Sequence, residues 1–114
     1  MSNSLVTKAI AMADEIVKFQ KNPELIENER NLVGAATIFS MKNMGEDIPM
    51  AALEKTLREP NIKAYYDRFG DKDILERYNK FVEAVPDSDE QRILATEALI
   101  NIREYARMKE RAKS

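Results

Sequence analysis

The hydrophobic positions of this chain recur at helical spacing in several blocks, and one block differs from the rest. From Leu32 to Met41 nearly every residue is apolar or small: Leu32, Val33, Gly34, Ala35, Ala36, Ile38, Phe39 and Met41. A helix that is apolar all round has to be covered all round, so residues 24–44 are expected to form a helix at the centre of the fold. Gly34 in mid-helix costs ~1 kcal/mol against alanine, and close approach of a neighbouring helix is the expected reason for it. The segment is not a membrane span. Its apolar part lasts about ten residues where a bilayer needs about twenty, and Glu24, Glu27, Glu29, Arg30 and Lys42 would each need a partner in lipid.

The other blocks are ordinary amphipathic helices separated by clear breaks. Ser4 is the expected N-cap of a first helix whose buried face carries Leu5, Ala9, Met12, Ile16 and Phe19, with Asp14, Lys18 and Lys21 toward water. Asn22-Pro23 ends it and starts the next, because the residue before proline avoids the helical region and proline suits the first helical position. Gly45 closes the central helix. Asp47 or Ile48 is expected to cap a third helix bearing Met50, Leu53 and Leu57, and Pro60 ends it.

A fourth helix, 61–69, should bury Ile62, Tyr65, Tyr66 and Phe69 and stop at Gly70. Asp71 caps a fifth that runs to Val85 with the stripe Ile74, Leu75, Tyr78, Phe81 and Val82. Ser88 and Gln91 read as a capping box opening a last helix to about residue 112, whose stripe includes Ile93, Leu94, Ala98, Leu99, Ile102, Tyr105, Ala106 and Met108, with the final residues fraying. No stretch alternates as a strand does, and no hairpin turn chemistry is present. The expected fold is all-α: a compact single-domain bundle of five or six helices around a central apolar helix, covering residues 1–114.

Composition narrows the chemistry more than the function. With 114 residues, 44% hydrophobic and 33% charged, the chain can bury a real core. It contains neither His nor Cys, which removes disulfides, thiolate nucleophiles, imidazole bases and the usual zinc sites. The net charge of −2 gives no global pull toward nucleic acid or acidic membranes. The start of the chain has no basic segment leading an uninterrupted apolar run, so no signal peptide is expected and the location expected is cytoplasmic.

Two short helices divided at Glu59-Pro60, with Lys63 and Arg68 on the second, could form a helix-turn-helix within 47–69 that presents a recognition helix to DNA. The run AALEKTLREPNIKAYYDRF resembles a stretch of the small terminase subunits of tailed phages, and that resemblance implies DNA binding. The cations expected to serve this alternative are Lys63, Arg68 and Arg107. From Arg58 to Lys80 six basic residues face five acidic ones, whereas a DNA-reading face usually carries a clearer excess. The carboxylates Asp67, Asp71, Asp73 and Glu76 fail the calcium-loop pattern, since the sixth position from Asp67 is Lys72 and the twelfth is Tyr78. No metal and no cofactor is expected.

The C-terminal run REYARMKERAKS carries five basic and two acidic residues, and an acidic patch of Glu83, Asp87, Asp89 and Glu90 precedes it. Such a dipolar surface can steer a charged partner or a head-to-tail self-contact. Adjacent Tyr65 and Tyr66 point about 100° apart on a helix, so one of them should lie near the surface beside Arg58 and Arg68, a combination common at protein interfaces. LVTKA (5–9) and ERNL (29–32) resemble segments of the fourteen-three-three phosphoserine adaptors. The spacing between them is shorter than in that family, and an apolar run including Ile38 stands where its phosphate-holding basic residues would be, so no role carries over.

By elimination the expected function is non-enzymatic: an accessory, adaptor or inhibitor protein, of the kind phages and mobile elements encode, that binds another protein or itself. The residues expected at the contact are Arg58, Tyr65, Tyr66, Arg68, Arg103, Arg107 and Arg111. DNA binding through the helix-turn-helix is the alternative.

Overall fold

The computed structural model of the protein describes residues 2–113. It is an all-α globule of six helices: α1 (Ser2–Val17), α2 (Ile26–Met44), α3 (Met50–Leu57), α4 (Ile62–Phe69), α5 (Lys72–Ala84) and α6 (Ser88–Lys113), with a 3-10 turn at Pro23–Leu25 leading into α2. Its radius of gyration, 13.2 Å, is that of a closely packed chain of this length.

The apolar block lies at the centre, as its composition demands. Every residue from Asn31 to Met41 is buried, and α2 packs most extensively on α5 and α1, then on α3 and α6. From α1 come Ala9, Ala13 and Ile16; from α5, Ile74, Tyr78 and Phe81; from α6, Leu94, Ala98 and Ile102. A Leu, Ile or Phe taken fully out of water in this way contributes about 1.5–3 kcal/mol. Among the described residues no helix is long and apolar enough to cross a membrane.

Local chemistry sets the breaks. Asn22 accepts a hydrogen bond from the Glu24 N–H at 3.0 Å and caps the 3-10 turn, so α2 itself starts at Ile26, two residues later than expected. Gly45 ends α2 with φ 87°, a backbone conformation that L side chains rarely adopt. Asp71 caps α5 by accepting from the Ile74 N–H. Its carboxylate also meets the Lys42 ammonium, which reaches Asp73 at 3.1 Å as well, and so ties the end of α2 to the start of α5. Burial works against the charge on Asp71, yet Lys42 and the Ile74 N–H hold its carboxyl below the usual range.

Several expected details are corrected. Ser4 lies inside the first turns of α1, which begins at Ser2. Neither Asp47 nor Ile48 caps α3: Ile48 is buried in the core, and Pro49 occupies the cap position with extended backbone. The cap of α6 is Asp87 and not Ser88. Asp87 Oδ1 accepts from the N–H groups of Asp89 and Glu90 at 2.9 and 3.0 Å, and the Gln91 side chain donates to the Val85 carbonyl at 2.7 Å. The helix then runs to Lys113. Phe69, Ile93 and Met108, expected on buried stripes, are exposed.

Gly34 sits between α1 and α5, but a methyl group placed there would meet only Ile10 Cδ1 and Arg77 Cδ, each at 3.4 Å. Close packing is therefore not what requires a glycine at this position. Gly70 is different. A Cβ on it would fall 2.6 Å from the Tyr66 carbonyl oxygen, which its own N–H already approaches at 2.7 Å.

Candidate functional site

Two short helices with few buried residues leave a depression over the end of α2. In α3 only Leu53 and Leu57 are buried, and in α4 only Tyr66. Helices this short cannot cover the last turn of α2 from both sides. The result is a groove of about 440 Å³ lined by Phe39, Met44, Ala52, Thr56, Tyr65 and Phe69, with Lys55 and Glu59 at its edge. Met44 is 54% and Phe69 59% exposed, high values for residues with this much apolar surface to hide.

The floor of the groove is a line of rings running from surface to core. Phe69 and Tyr65, one turn apart on α4, have centroids 5.1 Å apart; Tyr65 meets Phe39 edge-on at 5.2 Å, and Phe39 meets Tyr66 at 5.7 Å. Tyr66 continues to Tyr78 at 5.3 Å, and Tyr78 to Phe81 at 5.8 Å. Edge and tilted contacts of this kind add stability beyond the area they bury. Phe69, at the outer end of the line, is more than half exposed.

The structure separates the residues named from the sequence. Tyr65 is half-buried and lines the groove. Tyr66 is fully buried, its hydroxyl finding no hydrogen-bond partner among the described residues, and burial pushes its phenol well above the ordinary range. That is a correction: Tyr66 is a core residue and offers nothing to a partner. Arg68 lies over the Phe69 ring, 5.2 Å from its centroid, at the groove mouth. Arg58 and Arg103 meet the same carboxylate, Glu54, at 3.5 and 3.1 Å; the first contact is local to the end of α3, and the second links α3 to α6. Arg107 pairs with Glu104 on α6, and Arg107 and Arg111 are exposed on that helix without lining the groove.

Of the cations assigned to the nucleic-acid alternative, Lys63 is paired with Asp67 at 3.1 Å, Arg68 is on the ring of Phe69, and Arg107 is on a different element. No group of three carboxylates among the described residues is arranged to hold a metal ion.

One polar cluster was not anticipated. Glu29, in the first turn of α2, is fully buried. Gln20 Nε2 donates to its Oε1 at 3.0 Å, and Asn101 Nδ2 reaches both carboxylate oxygens. Burial raises its carboxyl to about 7 against the opposing effect of these two hydrogen bonds, and the nearby Glu97 charge adds to the rise. The signal in the sequence was its spacing: Glu29 stands three, four and seven residues before Leu32, Val33 and Ala36, on the buried side of the helix.

No protein-family model, no curated protein and no solved structure matches this chain.

Proposed function

We propose that the protein works without chemistry of its own, as a cytoplasmic accessory, adaptor or inhibitor protein that binds another protein at the groove between α2, α3 and α4. The observation that carries this reading is the pair Met44 and Phe69, two large apolar side chains more than half exposed and lining one groove with the rings of Phe39 and Tyr65. Exposed apolar surface next to a concavity is the usual mark of a contact site. The occupant that fits is an amphipathic segment placing one or two bulky aliphatic side chains between Met44 and Phe69. Lys55 and Arg68 at the margin favour acidic residues flanking that insert.

The test is capture of the partner from the native host by the tagged protein after nuclease treatment, run beside a Met44→Ser/Phe69→Ser double variant. Both residues are exposed, so the variant is expected to keep its helical signal and melting temperature within a few degrees. The reading predicts one stoichiometric protein partner that the variant loses. Equal capture by both proteins removes the groove from consideration.

A second reading, DNA binding through a helix-turn-helix within 47–69, draws support from the observed α3–α4 pair and from the exposure of Lys63 and Arg68. The pairing of Lys63 with Asp67 weighs against it. Retention of nucleic acid alone, lost steeply as salt is raised, would favour it over the groove and make Lys63, Arg68 and Arg107 the residues to replace.

A further inference from the structure

The longest helix uses only one of its faces inside the molecule. In the 26 residues of α6 the buried positions are Leu94, Ala98, Asn101, Ile102 and Tyr105, which fall on one side at 100° per residue. On the opposite side lie Asp89, Ile93, Ile100, Arg107 and Arg111. Ile93 and Ile100 are 62% and 54% exposed, and their spacing of seven residues puts them in line, two turns apart. Beside Ile100, Phe19 and Glu97 border a shallow hollow of about 200 Å³, room enough for an aliphatic side chain from outside.

Charge on this helix is sorted along its length. From Ser88 to Ile100 three acidic residues stand against one basic; from Asn101 to Lys113 five basic residues stand against two acidic. Ile100 is at the midpoint. A copy of the helix laid across it in the opposite direction therefore meets complementary charge at both ends, while a parallel copy meets like charge at both.

We propose that α6 pairs with α6 of a second copy of this chain, antiparallel, about a two-fold axis at Ile100. In this arrangement the two Ile100 side chains meet on the axis, each Ile93 lies on the aliphatic stem of Arg107 of the other copy, and Asp89 faces Arg111 of the other copy. The contact is self-complementary, as a two-fold interface requires. The local pairs Arg92–Asp89 and Arg107–Glu104 are solvent-exposed, and pairs of that kind resist rearrangement only weakly. The apolar centre is small, so the charges set the direction and much of the strength. The surface is separate from the α2–α3–α4 groove and its occupation does not depend on that groove.

Sedimentation equilibrium of the full chain, from micromolar to near-millimolar and at low and high salt, is the measurement. The expected result is a monomer–dimer equilibrium that weakens about tenfold or more as screening rises. Ile100→Asp should abolish the dimer at unchanged helical content. Two charge variants, Asp89→Lys/Glu90→Lys and Arg107→Glu/Arg111→Glu, should each be monomeric alone and pair when mixed, because the mixture restores opposite charge at both ends. A wild-type protein that stays monomeric at every concentration in low salt overturns the proposal. So does an Ile100→Asp protein that dimerises as strongly as wild type, or a mixture that pairs no better than its components. A monomer that still captures a partner through Met44 and Phe69 sinks this inference and leaves the groove reading standing.

Discussion

Asn101 on α6 reaches both carboxylate oxygens of Glu29 on α2, at 2.9 and 3.0 Å, across a sequence separation of 72 residues. Among the described residues no cation completes this cluster; the hydrogen bonds come from two amides, Asn101 and Gln20. A fully buried acid held this way keeps its proton better in the folded protein than in the unfolded chain. Its carboxyl stands at about 7 against an ordinary 4.5. The sign follows from linkage: the folded state binds more protons between these values, so the contribution to stability is complete below about pH 4.5, declines as pH rises to about 7, and is flat beyond. A rise of this size corresponds to ~3 kcal/mol. Urea unfolding at pH 5 and pH 8 should show wild type losing stability at the higher pH. Glu29→Gln, which mimics the protonated form, should flatten that difference; an equal pH dependence in both proteins would assign it to other groups.

The Tyr66 hydroxyl is buried without a partner among the described residues, while its ring contacts Phe39, Tyr65 and Tyr78. Removing the oxygen and keeping the ring should help the fold. Tyr66→Phe is expected to gain about 1 kcal/mol and to raise the melting temperature by several degrees. A loss of that size would reveal a hydrogen bond to solvent or to another group.

Two glycines should answer oppositely to alanine. At Gly34 the added methyl meets only two side-chain carbons, Ile10 Cδ1 and Arg77 Cδ, at van der Waals distance, so Gly34→Ala should stabilise by ~0.5–1 kcal/mol through helix propensity, whereas Gly34→Leu should cost ~1–3 kcal/mol by overpacking. At Gly70 the methyl collides with the Tyr66 carbonyl, a backbone atom that moves only if α4 moves. Gly70→Ala should therefore lower the melting temperature. Denaturation of the three variants in parallel checks the contrast.

The N-terminus of α6 offers a test of cap identity at one-residue resolution. Asp87 accepts two backbone N–H bonds, so Asp87→Ala should cost ~1 kcal/mol, in the usual range for loss of a cap. Ser88→Ala should change stability by a few tenths at most. Equal losses at both positions would restore Ser88 to a capping role.

The helices and their order were readable in the sequence because each break is made by residues that act locally. Asn22-Pro23, Gly45 and Asp71 carry their backbone preferences wherever they stand, and the apolar run 32–41 has only one place to go. What was misjudged depended on neighbours. Periodicity marked Phe69 and Ile93 as apolar positions of amphipathic helices, but whether an apolar position is covered depends on what packs above it, and these two stay more than half exposed. Tyr65 and Tyr66 had to diverge, yet only the placement of α4 against α5 decided that Tyr66 goes inward. The groove itself exists because α3 and α4 are short, and Met44 and Phe69 line it while staying more than half exposed. Glu29 was noted only as a charge that would need a partner in lipid, because its partners, Gln20 on the connection after α1 and Asn101 on α6, are distant in the sequence.

The uninterrupted burial of α2 from Asn31 to Met41 has a consequence for how the molecule breathes. Its amide protons are shielded on every side by four other helices, so no partial opening of one neighbour gives solvent access to them. They should exchange with deuterium only when the whole structure comes apart, at a rate set by global unfolding, while amides at the solvent-facing end of α6 exchange through local fraying. The slowest-exchanging amides of α2 thus provide an internal gauge of total stability, readable without denaturant.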